Sequence, residues 1–269
     1  MTNLFESAGL SKSAPRPLAD RLRPMTLAEV VGQDHITGPE GTLTRFLASG
    51  RLPSLILWGP PGCGKTTVAR LIADESKLAF EQLSAIFSGV ADLRKAFERA
   101  KARRELGLGT LLFVDEIHRF NKAQQDSFLP HMEDGTITLV GATTENPSFE
   151  LNAAVLSRAT VLVFNRHDDT ALEAMLVRAE AEEGRALPLD ADARAALIAM
   201  ADGDGRAGIN LAADVFAGAA PGTKTLDRAG LVKVVQRRSP IYDKSADGHY
   251  NLISALHKAV RGSDPDAAL

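Results

Sequence analysis

One eight-residue stretch constrains this chain more than any other. Gly59-Pro60-Pro61-Gly62-Cys63-Gly64-Lys65-Thr66 fits the pattern G-x-x-x-x-G-K-[ST]. Its glycines let backbone N–H groups turn inward and approach phosphate oxygens closely. Such a loop works between a strand and a helix, because the helix N-terminus adds partial positive charge where the phosphates sit. The flanks meet that demand. Residues 54–58 read as a short apolar strand, and Val68, Leu71 and Ile72 share one helical face after the loop. In that setting Lys65 is expected to reach the β- and γ-phosphates and the Thr66 hydroxyl to coordinate Mg²⁺. Cys63 has two readings: a thiol acidified by Lys65 and the helix start, or a small filler at a variable loop position.

A strand–loop–helix unit of this kind belongs in a parallel sheet, and the surrounding pattern agrees. Further strands are expected at 80–83, 110–114, 136–142 and 160–164, each a short apolar or β-branched run between breaks. Helices lie between them; Leu93, Ala96, Phe97 and Ala100 fall on one face of the second. The expected fold is therefore α/β, a five-stranded parallel sheet covered by helices. After Asn165 the strands stop. Helices are expected at 168–183, 190–202, 208–219 and 227–236, forming a second, all-helical unit. The first 20 residues, rich in Ser, Pro and Ala, read as a flexible arm. Another helix is expected at 250–260. Ser263-Asp264-Pro265-Asp266 reads as a helix start, so more protein is expected past Leu269. The organisation is thus an arm (1–20), a core (21–167), a helical lid (168–238) and the start of a C-terminal region (239–269).

Composition excludes several classes. With 269 residues, 45% apolar and 24% charged, the chain is an ordinary globular sequence. No apolar run approaches the ~18 residues of a membrane span, and no signal core opens the chain. One cysteine permits no internal disulfide. A cytoplasmic, nucleoid-associated protein without a membrane partner is expected. The net charge of −3 argues against a globally basic nucleic-acid coat but leaves room for a local patch.

A second motif completes a hydrolytic set. Leu111-Leu112-Phe113-Val114 runs into Asp115-Glu116, and a buried strand delivers such residues to the ligand edge of a parallel sheet. Asp115 is expected to hold Mg²⁺ through water, and Glu116 to orient and deprotonate the attacking water. His118, which extends the motif to Asp-Glu-Ile-His, reads as structural. Thr143-Thr144 ends the next strand, where a polar side chain can sense the γ-phosphate. Ser157-Arg158 precedes the last strand, and Gly203-Asp204-Gly205-Arg206 lies in the helical unit.

With these residues in hand, the chain resembles the AAA+ ATPases, in the branch that holds clamp-loader subunits and Holliday-junction motors. It is most similar there to the replication-associated recombination protein A family, whose eukaryotic member is the Werner-helicase-interacting ATPase. The resemblance is carried by Leu22-Arg23-Pro24 with Val31-Gly32-Gln33, by WGPPGCGKTT at 58–67, and above all by VDEIHRFNKAQQDSFLPHMEDGTITLVGATTENPSFELNAAVLSR at 114–158. The stretch from His249 to Lys258 matches the start of that family's C-terminal region.

The resemblance implies ATP and Mg²⁺ as ligands. It places Arg23, Val31 and Gly32 at the adenine base and Gly59, Pro60, Pro61, Gly62, Cys63, Gly64, Lys65, Thr66 and Thr67 at the phosphates. Asp115 and Glu116 become the Walker B pair, Thr144 the first sensor with Thr143 as its neighbouring candidate, Arg158 the arginine finger and Arg206 the second sensor. It implies a DNA-dependent ATPase in fork maintenance, recombination and repair, acting on single-stranded, gapped or forked DNA or duplex ends, with strand separation in its range. A homo-oligomer, a tetramer at full length, is implied as well. A nucleotide-switched recruitment module and a clamp-loader or branch-migration subunit are the alternatives; Glu116 speaks against the first and segment 114–158 against the second. One departure is Ala207-Gly208, where the family usually carries a second Arg.

The remaining charges have weaker readings. Arg94, Lys95, Arg99, Lys101, Arg103 and Arg104 crowd one helix, and Arg237-Arg238 lies further on; each group is either a solvated face or a DNA contact. Aromatics at 5% offer no visible stacking platform. Asn3-Leu4-Phe5-Glu6 is a candidate docking motif for a sliding clamp; a single-strand-binding protein is the other partner considered.

Overall fold

The computed structural model describes residues 16–220 and 224–238. The expected helix at 250–260, the Asn3–Glu6 motif and Ser263–Asp266 lie outside the described residues, as do the side chains of Arg237 and Arg238.

Five strands form one parallel sheet in the order β2-β3-β4-β1-β5, with β1 Ser54–Trp58, β2 Ala79–Ser84, β3 Thr110–Asp115, β4 Thr138–Thr143 and β5 Ala159–Val163. The expected strands match in number and place. The fourth starts two residues late because an Asp134-Gly135 turn claims Thr136, whose amide donates to Asp134 Oδ1 at 2.7 Å. Burial on both faces follows from the period of two. On β3, Leu111 and Phe113 pack into one apolar cluster with Val68, Leu71 and Ile72 of helix α1 (Lys65–Glu75). Leu112 and Val114 pack into the other with Leu93, Ala96 and Phe97 of helix α2 (Val90–Glu105). Because every strand runs the same way, Trp58, Ser84, Asp115, Thr143 and Val163 end at one edge of the sheet.

The lid is a bundle of four helices, α3 Asp169–Glu183, α4 Ala191–Ala201, α5 Gly205–Gly218 and α6 Arg228–Arg238. Asp168, Asp190 and Asp204 cap the first three, each accepting an amide from three residues on. Helix α5 begins three residues before its expected start. The run Gly203-Asp204-Gly205 reads as a break, yet Asp204 is an N-cap and Gly205 the first helical residue. Leu172, Leu176, Leu197, Val215, Phe216 and Leu231 form the lid core. Leu18 joins it from a helical turn, Leu18–Arg21, that begins inside the segment expected to be a flexible arm. No helix among the described residues is long and apolar enough to cross a membrane.

Candidate functional site

The phosphate loop leaves β1 at Trp58 and enters α1 at Lys65. Two of its glycines have left-handed backbones, Gly62 at φ +67° and Gly64 at φ +98°. Gly62 is needed twice over, since a Cβ there would stand 1.8 Å from Oδ1 of Asp204, on the lid. Lys65 is buried, and its Nζ donates to the carbonyls of Gly59 at 2.6 Å and Pro60 at 2.7 Å. Those two residues thus hold the lysine from behind and do not line the cleft. The first reading of Cys63 fails: the thiol is 1% exposed, burial pushes it up from its ordinary range against the pull of Lys65, and it donates to Pro60 O at 3.0 Å.

The acids stand where β3 ends. Glu116 has φ +53° and ψ +45°, a left-handed conformation that costs a non-glycine residue about 1–3 kcal/mol. That backbone turns the chain out of β3 at once into the 3-10 turn Ile117–Arg119. The Glu116 carboxylate lies 3.3 Å from His118 Nδ1, whose side chain is 7% exposed. On β4, Thr143 is fully buried and Thr144 faces the cleft.

A cleft of about 460 Å³ opens between core and lid. Its walls bring together Arg23, Val31, Pro61, Gly62, Cys63, Gly64, Lys65, Thr66, Thr67, Asp115, Glu116, Thr144 and Arg206. Three other expected contacts stand outside it. Gly32, at φ +73°, packs behind Val31 against His167 and Ala171. Thr143 turns to His118, with 2.9 Å between Thr143 Oγ1 and His118 Nδ1. Arg158 precedes β5, so it stands at the opposite edge of the sheet, about 16 Å away along the strand. There it pairs with Glu133 at 2.6 Å.

Several lining residues escaped the sequence reading: Leu22 and Val30 before the sheet, His167 at the core–lid junction, and Met175, Arg178 and Ile209 from the lid. Ile209 and Asn210 follow Arg206 by three and four positions, so helical spacing from Arg206 would have found them. His167 is buried, which pushes its pKa below the ordinary histidine range even though the Gly62 backbone, Asp204 and Asp168 pull the other way.

The cleft suits a nucleotide triphosphate, with an amide-lined loop and lysine at one end and an apolar wall of Leu22, Val30, Val31 and Ile209 at the other. Thr66 and Asp115 share it and suit Mg²⁺, which takes one or two protein oxygens and completes its shell with phosphate and water. No group of three or more His, Cys, Asp or Glu among the described residues makes a separate metal cage.

The basic helix α2 is partly committed. Arg99 and Arg103 both bind Glu81, and Arg104 reaches Thr136 and Asp134. Arg94, Lys95 and Lys101 are exposed, with no ion pair among the described residues.

Comparison with known proteins adds an independent line. Residues 55–166 match the model of the ATPase family associated with various cellular activities (AAA), and 183–261 match the AAA C-terminal domain. Replication-associated recombination protein A of Escherichia coli K12 is 46% identical over all of this chain and 62% of its own length. That of Coxiella burnetii is 48% identical over 94% of the chain and 59% of its own length. The ATPase WRNIP1 of Dictyostelium discoideum is 41% identical over 95% of the chain and 32% of its own length. The chain thus spans about three fifths of the length of these bacterial relatives. Among solved structures, the Thermotoga maritima RuvB Holliday junction branch migration motor superposes with a TM-score of 0.67. It is 24% identical and covers 89% of this chain and 80% of its own, a likeness of fold.

Proposed function

We propose that this chain, which belongs to the replication-associated recombination protein A family of AAA+ ATPases, is the motor part of a DNA-dependent ATP hydrolase acting in replication and recombination. The observation that carries the reading is one cleft holding Lys65, Thr66, Asp115, Glu116, Thr144 and Arg206 while Arg158 stands at the far edge of the sheet. Lys65 leaves its loop carbonyls to neutralise the β- and γ-phosphates. Glu116 orients the attacking water and takes its proton. Thr144 contacts the γ-phosphate side, and Arg206 carries its state to the lid. Thr66 and Asp115 would hold Mg²⁺, which would supply charge neutralisation at the phosphate oxygens. Arg158 cannot reach its own cleft and serves that of an adjoining subunit, so turnover requires assembly. DNA, single-stranded, gapped or forked, is the partner, with Arg94, Lys95 and Lys101 as its phosphate contacts.

The test is steady-state phosphate release by this chain and by Glu116→Gln, with and without gapped DNA. Release that rises with DNA and vanishes in Glu116→Gln supports the reading. ATP binding without release, in this chain and in an assembled longer form alike, overturns it and leaves a nucleotide-switched recruitment module.

A further inference from the structure

We infer that His118 is a positioning residue for Glu116, and that the Thr143 hydroxyl competes with Glu116 for the same ring nitrogen. The inference rests on the ATPase reading above, because it assigns a partner to the base of that site.

The geometry is a shared atom. His118 Nδ1 is 3.3 Å from Glu116 Oε2 and 2.9 Å from Thr143 Oγ1. An ionised carboxylate only accepts, so Glu116 is held by the tautomer that carries its proton on Nδ1. When the proton sits on Nε2, the Nδ1 lone pair accepts from Thr143 and faces the carboxylate, which loses its donor. Thr143 has the matching freedom. Its oxygen accepts from the Glu145 amide at 3.0 Å, and its one proton goes either to His118 or to the Glu145 carbonyl at 3.3 Å. The two arrangements therefore differ by coordinated moves of two protons, with no change in the number of protons bound.

Thr143 is tied to the phosphate loop. It is fully buried at the end of β4, its carbonyl accepts the Gly59 amide of the phosphate loop at 3.2 Å, and Thr144 beside it lines the cleft. A shift of the loop or of the end of β4 thus changes the Thr143–His118 contact directly. His118, with its side chain 7% exposed, is screened from water that would otherwise substitute for either partner. The left-handed backbone of Glu116 holds the carboxylate on the same side as the ring two residues on.

Two measurements test this. In turnover, His118→Ala is expected to lower kcat about 10–100-fold, a part of what a general base supplies, while the Kd for ATP moves less than about 2-fold. His118→Asn, whose amide nitrogen stands near the place of Nδ1, is expected to restore kcat to within about 3-fold, and His118→Gln, which reaches toward Nε2, is not. Independently of turnover, long-range ¹H–¹⁵N spectra of the nucleotide-free chain report the His118 tautomer. Thr143→Val is expected to raise the Nδ1–H fraction and Glu116→Ala to lower it. Wild-type kcat in His118→Ala, or equal rescue by Asn and Gln, overturns the inference. So does a tautomer ratio indifferent to both substitutions. If neither the wild-type chain nor an assembled longer form turns over the ATP it binds, the ATPase reading fails, and the spectra alone then decide whether His118 chooses between these two partners.

Discussion

Gly62→Ala tests the contact between the phosphate loop and the lid. The left-handed backbone of Gly62 costs an L-residue about 1–2 kcal/mol. The new Cβ would also stand 1.8 Å from Asp204 Oδ1, so the carboxylate must leave. That oxygen caps α5 by accepting the Ala207 amide at 2.8 Å, and losing an Asp cap costs about 1 kcal/mol. The substitution should therefore cost about 2–3 kcal/mol in all. A double-mutant cycle separates the parts. Asp204→Ala alone should cost about 1 kcal/mol, and the double variant about what Gly62→Ala costs, because the cap is already gone. The coupling is thus about 1 kcal/mol. Trp58, the single tryptophan, ends β1 immediately before the loop, and its fluorescence reports urea unfolding of the core. Additive costs, or a Gly62→Ala cost below about 0.5 kcal/mol, would refute the argument from backbone and contact.

Three further expectations concern other sites. Arg194 binds Glu173 and both oxygens of Glu180. Burial pushes the Glu180 carboxyl up, but Arg194 and the Leu187 amide outweigh it and hold the carboxyl below the usual range. A depressed carboxylate stabilises above its unfolded pKa and loses that contribution as pH falls through the folded value, so the advantage of wild type over Arg194→Met, about 1–3 kcal/mol at pH 7, should shrink as pH drops below about 4; a pH-independent gap in denaturation midpoints would contradict this. Arg158→Ala should bind ATP normally and lose about 10³-fold or more in assembled turnover. Mixing it with Lys65→Ala subunits should recover activity, and no recovery would count against action across subunits. Cys63, buried and with its thiol pushed up, should resist iodoacetamide at neutral pH until the chain unfolds; alkylation at the rate of a free thiol would contradict its packing.

Much of the fold was legible because local signals and burial agree. The strand before the loop ends at Trp58 in sequence and structure alike, and the alternation Leu111-Leu112-Phe113-Val114 feeds two opposite faces. The phosphate loop and the acid pair were legible because their chemistry demands fixed residues at fixed spacing. What escaped is non-local. Nothing in Gly203-Asp204-Gly205 announces that Asp204 presses on Gly62, more than a hundred positions earlier. Nothing local to His118 names Thr143 as its partner, since β3 and β4 must first pair. Leu18 read as arm because its apolar neighbours lie in the lid.

That last contact has a mechanical meaning. Among the described residues, the chain crosses between lid and core twice. Once it runs from Leu18, in the lid core, to Val30, in the sheet's cluster; once from Phe164 of the sheet's cluster to Asp168, which opens the lid. Gln33 stitches the two crossings together, its amide bonding the carbonyl and the N–H of Asn165. A body tied at one point swivels in any direction, whereas one tied at two points turns about the line between them. The lid is hung like a door on two pins, with the cleft along its hinge side, so any rotation about that line would carry the outer face of the bundle through a much longer arc than the cleft.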